Sequence, residues 1–166
     1  MDAILKRRSV RKYSDQSVSQ ELIKKILTAA MSAPSSGNEQ PWHFIVIKNQ
    51  ETLKKLSESS PYAKAVSGAT VGIVICGDLT LERHKGYWVQ DCSAAVENML
   101  IEIASLDLGA VWLGVYPMEE RMDFIKKLFD LPASIIPFAI IPIGYPLEEQ
   151  KSVDRYREER IHQEKW

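Results

Sequence analysis

The chain has 166 residues, 21 basic against 22 acidic side chains for a formal net charge of -1, and is 45% hydrophobic. That length suits one domain with a single buried core, and the balanced, mixed composition excludes a tail, a fibre or a bulk electrostatic attraction to nucleic acid. No segment approaches the roughly 18 apolar residues of a membrane span.

The opening "MDAILKRRSVRKY" has a helical first turn or two and no apolar run long enough for a signal peptide, so the chain is expected to start as mature protein. Leu22, Ile23, Ile26, Leu27, Ala30 and Met31 build one apolar face, predicting a helix over 19–31 with Ser17 or Ser19 as its cap. "HFIVI", 43–47, is aromatic and β-branched and predicts a strand after Pro41; a short helix is predicted over 51–57. "ATVGIVIC", 69–76, is nearly continuous in apolar residues, as a central strand covered on both faces requires. Between 88 and 106 the apolar residues cover more than a narrow stripe, so this helix is expected to be the buried one, ended by Asp107 and Gly109.

"AVWLGVYP", 110–117, predicts a further strand, and Glu119 to Phe129 a helix. "IIPFAIIPIG", 135–144, is strand-like, but Pro137 and Pro142 cannot donate to a ladder; the segment is expected to be irregular or to lie at an edge for part of its length. The last stretch, "LEEQKSVDRYREERIHQEKW", is charged, has little apolar material of its own and needs a surface to lie against. Strands interspersed with helices, without a regular alternation, predict an α+β sandwich.

Cys76 and Cys92 lack metal-site or redox-motif spacing and sit in apolar contexts, pointing to reduced, buried thiols and a cytoplasmic setting. No P-loop, G-x-G-x-x-G, HExxH or cysteine cluster occurs. Two clusters are unusual. "RRSVR", 7–11, brings three guanidinium groups and a hydroxyl together, a phosphate cradle or a solvated basic surface. "SAPSSGNEQPWHF", 32–44, is a helix-to-strand turn with more amide and hydroxyl groups than a turn needs, suited to the polar edge of a planar ligand.

Taken together, "RRSVRKY", "APSSGNEQPWHF", "LGAVWLG", "IPIGYP" and "DRYREERIH" resemble, in order and spacing, the nitroreductase family of flavoproteins over essentially the whole chain. The resemblance implies a nitroreductase-like α+β sandwich spanning 1–166, with a central mixed, mainly antiparallel sheet flanked by helices, in an intertwined homodimer whose residues from about 147 to 166 form an arm on the partner. It implies one FMN in each of two interface clefts. Arg7, Arg8, Ser9 and Arg11 would approach the phosphate, ribityl chain and pyrimidine edge, with Arg11 the candidate for positive charge beside the reduced ring. Pro34, Ser35, Ser36, Asn38 and Gln40 would come from the other subunit, Leu113 and Gly114 would lie along the isoalloxazine, and Arg155 matches a late phosphate-binding position. Val153 stands where the family often has a lysine, and Lys64 and Tyr62 stand where larger members carry an asparagine and a lysine.

The implied activity is hydride transfer from NADH or NADPH through FMN to nitroaromatic, quinone or similar electron-poor acceptors in a ping-pong cycle. No side-chain nucleophile, acid or metal is needed, because the cofactor carries the chemistry. Two alternatives use the same motifs: reductive dehalogenation or flavin conversion, and flavin binding or storage without turnover.

Overall fold

The computed structural model describes residues 2–148, 151 and 153–166. Its elements in chain order are α1 (Asp2–Lys6), α2 (Gln20–Met31), β1 (Trp42–Ile47), α3 (Gln50–Leu56), β2 (Val71–Asp78), α4 (Trp88–Ser105), β3 (Gly109–Ala110), β4 (Leu113–Gly114), α5 (Glu119–Leu128) and β5 (Ile135–Gly144). Single-turn 3₁₀ helices span Ser36–Asn38, Ser57–Ser59 and Glu158–Arg160, and a longer one spans Ala63–Gly68. The fold is α+β. The strands pair antiparallel in the order β1-β2-β5-β3, with β4 also on β5.

Side-chain alternation on β2 explains its continuous apolar run. Ile73 and Ile75 enter a core with Ile23 and Ile26 of α2 and Cys92, Ala95, Val96, Met99 and Ile103 of α4. Val74 and Cys76 point to the opposite face, against Leu53 and Leu56 of α3, Val66 and Ile125 of α5. β2 and β5 are therefore covered on both sides, as their lack of polar alternation requires. Two glycines on β2 make the close approach possible: a Cβ at Gly72 would meet Leu53 at 2.8 Å, and one at Gly77 would overlap the Trp88 ring.

α2 starts at the Ser19 cap, whose Oγ accepts the Leu22 N–H at 3.2 Å, and its buried face is Ile23, Ile26 and Ala30. α4 buries Trp88, Asp91, Cys92, Ala95, Val96, Met99, Leu100 and Ile103. Both cysteines are buried and free, and burial pushes each thiol up to about 12.

β5 corrects one expectation. It is irregular, as its prolines predict, but it is not an edge: β2 pairs along one side, and β3 and β4 along the other. Pro137 falls at a register shift, where Cys76 pairs with Pro137 and Ile75 with Ala139. Pro142 faces a break in the neighbouring strand. The predicted strand 110–117 is ordered as ladder only at Gly109–Ala110 and Leu113–Gly114, and both fragments keep one register with β5, which sets Pro142 opposite the gap. The single Tyr13 hydroxyl proton is shared between the Val10 carbonyl at 2.6 Å and the Pro142 carbonyl at 3.3 Å, giving the latter a donor beside the gap.

Candidate functional site

The N-terminal cations are fixed by two backbone contacts to β3. Ser9 bridges Ala110 in parallel, and the Val10 N–H donates to the Ala110 carbonyl at 2.8 Å. Val10 is buried and seats on Gly109, where a Cβ would lie 2.8 Å from the Val10 Cβ and Cγ1. Arg7 reaches α4, its Nε 3.5 Å from Glu97 Oε1. Among the described residues Arg8 and Arg11 form no ion pair.

Lys6, Arg7 and Arg8 line one wall of a cleft of about 840 Å³ whose other sides include Leu100 and Ile103 of α4 and Lys151. Its rim also carries Asp107 and Glu148, and Glu148 is held by Lys12 at 2.9 Å. The lining thus combines cationic side chains, two acids and a partly apolar floor.

The 34–40 segment lies elsewhere on the same helix. Its Ser36 N–H donates to Asp91 Oδ1 in the first turn of α4 at 2.9 Å, whereas Arg7 meets Glu97; six residues along a helix separate these anchors by about 9 Å. None of Pro34, Ser35, Ser36, Asn38 or Gln40 lines the cationic cleft. The loop is wound left-handed, with φ of 55° at Gly37, 55° at Asn38 and 50° at Gln40. A non-glycine residue in that region costs about 1–2 kcal/mol, so the loop needs external ties. Ser35 Oγ accepts the Gln40 N–H at 3.0 Å. The other ties were missed in the sequence: Glu39, buried between Asn38 and Gln40, whose Oε1 accepts the N–H groups of Arg83 at 2.9 Å and His84 at 2.8 Å, and Asp91. Nothing in local composition marks either acid as buried.

Leu113 and Gly114 form β4, three residues beyond the Ser9 bridge to Ala110. Leu113 is buried, while Gly114 is exposed with nothing within 4 Å of where a Cβ would stand. Bare backbone therefore faces open space. Its carbonyl is taken by Arg121 Nη1 at 2.8 Å, and the same guanidinium lies 5.6 Å from the Tyr62 ring centroid. Arg121 was not anticipated, although its position on α5, one turn after the strand, is the available signal. Arg155 is exposed, as is every described residue from 147 onward. Lys64 is exposed, and its carbonyl accepts from Ser67.

These positions can be set beside known proteins. The nitroreductase family model matches residues 4–61 and 57–145. The chain belongs to the nitroreductase family. A Methanothermobacter thermautotrophicus protein with the provisional name NADH dehydrogenase/NAD(P)H nitroreductase is 52% identical over 166 residues, covering 100% of this chain and 87% of that one. The crystal structure of a provisionally named NADH oxidase from Clostridium acetobutylicum superimposes with a TM-score of 0.97 at 48% identity, covering 99% of this chain and 100% of that one. A provisionally named nitroreductase from Desulfovibrio desulfuricans, crystallised in complex with FMN, gives a TM-score of 0.85 at 34% identity, covering 99% and 96%. Among the described residues no helix is long and apolar enough to cross a membrane, and no group of three or more metal-ligating side chains occurs.

Proposed function

We propose that this member of the nitroreductase family is an FMN-dependent oxidoreductase that draws hydride from NADH or NADPH and reduces nitroaromatics, quinones or similar electron-poor acceptors. The supporting observation is the cationic cleft: Lys6, Arg7 and Arg8 line it with a partly apolar floor, and among the described residues Arg8 and Arg11 form no ion pair.

The donor set fits FMN. A phosphate dianion asks for charge-assisted donors, which Arg7, Arg8 and Arg11 supply, and Arg155, exposed in the arm, would add another. Ser9 would serve the ribityl chain. A flat ring system needs a surface without side chains, and the open backbone at Gly114 offers one, with Leu113 behind it. Ser35, Ser36, Asn38 and Gln40 bring hydroxyl and amide groups suited to a heterocycle edge, and Pro34 would border them. When bound, FMN would supply the hydride-accepting and electron-delivering chemistry. The chain would bind it, orient it and place positive charge near the ring edge, Arg11 being the candidate for that charge.

A homodimer fits the same observations. The serine-rich loop and the arginine cluster contact different stretches of α4, an arrangement compatible with two chains each supplying one set to a shared flavin. The arm from about 147 to 166 exposes Val153, Tyr156, Ile161 and Trp166, apolar groups with a use on a partner surface. Residues 149, 150 and 152 of that arm lie outside the described residues.

Visible absorption of the purified protein tests the reading directly. A yellow flavin spectrum bleached by NADH or NADPH without air is expected, together with a dimer on gel filtration. A protein that neither carries nor takes up FMN refutes the assignment, and a flavin-loaded monomer refutes the shared site.

A further inference from the structure

Arg121 has more binding capacity than its one hydrogen bond uses. Its Nη1 donates to the Gly114 carbonyl at 2.8 Å, on a strand that pairs with β5 alone, and its Cζ lies 5.6 Å from the centroid of the Tyr62 ring. A guanidinium carries five N–H donors in a planar fork, so bracing β4 leaves most of them for something else. Among the described residues Arg121 forms no ion pair. The nearest acids in sequence, Glu119, Glu120 and Asp123, stand one or two positions away on α5, offsets that turn their side chains to other faces of the helix. On the opposing segment, the only charged side chain between Ser59 and Thr70 is Lys64, an exposed cation.

The groups around this charge are open. Tyr62 is 72% exposed although the guanidinium lies over its ring. Gly114 is exposed, with nothing within 4 Å of where a Cβ would stand. An uncompensated fork, an aromatic ring and a stretch of backbone without a side chain thus meet at one edge of the sheet. The fork matches the two coplanar oxygens of a carboxylate. The ring packs against another ring, and the bare backbone admits a flat body. An aromatic carboxylate uses all three, whereas a phosphate would use the fork and leave the ring idle.

We propose that Arg121 and Tyr62 are specificity-determining residues for the electron acceptor, selecting electron-poor aromatics that carry a carboxylate. The redox part rests on the function proposed above. Arg121 takes the carboxylate with its remaining N–H groups while keeping the Gly114 carbonyl, and Tyr62 lies along the acceptor ring. The anchor borders the open Gly114 backbone, so an acceptor held there stays beside the surface assigned to the flavin ring.

A matched pair of acceptors, 4-nitrobenzoate and the neutral 4-nitrobenzamide, separates this role from a merely structural one. Arg121→Gln should lower kcat/KM for 4-nitrobenzoate about five- to tenfold, the range between an exposed ion pair and a charge-assisted hydrogen bond. The loss should fall on KM, and the amide should be unaffected. Arg121→Lys, which keeps the charge and loses the fork, should fall between and serves if the glutamine variant does not fold. Tyr62→Leu should weaken both acceptors alike, about two- to fivefold, because ring packing does not read charge. An Arg121→Gln protein that slows both acceptors equally has only lost the brace on β4, and this overturns the proposal, as does a wild-type enzyme indifferent to the carboxylate. A variant that instead changes the preference between NADPH and NADH, with the acceptor ratio intact, assigns the fork to a nucleotide phosphate and overturns it too.

Calorimetric titration of 4-nitrobenzoate into the purified protein keeps the site distinct from the flavin reading. Binding that Arg121→Gln weakens, in a protein that carries no flavin, supports the carboxylate site and refutes the oxidoreductase. A flavoenzyme whose affinity for 4-nitrobenzoate is the same with and without Arg121 refutes the site and leaves the oxidoreductase standing.

Discussion

Gly109→Ala tests how the cationic segment is held. The new methyl would sit 2.8 Å from Cβ and Cγ1 and 2.9 Å from Cγ2 of Val10, and Val10 is β-branched and buried, so no flexible end can swing away. Two responses are open. The core can keep the contact under strain, at the about 1–3 kcal/mol typical of overpacking. Alternatively the N-terminal segment can lift, losing about 1.5–3 kcal/mol of Val10 burial and about 0.5–1.5 kcal/mol from the Val10 to Ala110 hydrogen bond. The strained state is the lower cost, so a destabilisation of about 1–3 kcal/mol is expected, and at about 2–4 °C per kcal/mol in a chain of this size it reads clearly in thermal melts. Partial lifting should also speed tryptic cleavage after Lys6, Arg7, Arg8, Arg11 and Lys12, because a protease reads local opening. Adding Val10→Ala should cost less in the variant than in wild type, a coupling of about 1 kcal/mol. A Gly109→Ala protein within about 0.5 kcal/mol of wild type, with the same tryptic pattern and no coupling, would refute the seating of Val10 on Gly109.

Other expectations concern single contacts. Arg7→Ala should weaken FMN binding by about 1.5–3 kcal/mol if one charge-assisted phosphate contact is lost, measured by flavin fluorescence, with global stability changed by less than about 1 kcal/mol because its Glu97 partner is half exposed; unchanged affinity would remove Arg7 from the phosphate site. Ser19→Ala should cost about 1 kcal/mol in urea denaturation through loss of the α2 cap, and a neutral result would show that the N–H of Leu22 finds another acceptor. Cys76 and Cys92, buried with thiols near 12, should resist a thiol reagent at neutral pH until the protein unfolds; stoichiometric labelling of the native state would contradict their burial. Burial works against ionised Asp78, but the Thr80 hydroxyl and N–H and the charge of His43 outweigh it and hold that carboxyl below its usual range. Its contribution is therefore present above the unfolded value and fades as pH falls, so Asp78→Asn should narrow the stability gap to wild type on acidification, and a gap constant with pH would contradict this.

The helices and β2 were legible because burial is written in their spacing: Ile23, Ile26 and Ala30 recur at helical intervals, and a strand covered on both faces has no reason to alternate. Topology was harder. Pro137 and Pro142 argued for an edge, yet a register shift beside Pro137 and a gap opposite Pro142 let both occupy an interior strand, and each accommodation is made against a strand remote in sequence. The same gap divides "AVWLGVYP", whose β-prone residues give no sign of it. At the site, the arginine cluster and the serine-rich loop announced themselves by chemistry rarely gathered by chance. Glu39, Asp91 and Arg121 did not, since a buried acid or a bridging arginine is defined by partners 44, 55 and 7 residues away. Their roles exist only in three dimensions.

The placement of Asp91 and Glu97 on one helix carries a mechanical consequence. The inward face of α4, from Cys92 to Ile103, is locked in the core, so the helix cannot turn or slide under one anchor without moving the other. In a dimer whose loop and arginines serve different flavins, each α4 is then a rigid beam joining two reaction centres. A cavity cut beneath it, as by Met99→Ala in a single subunit, would be felt at both flavins.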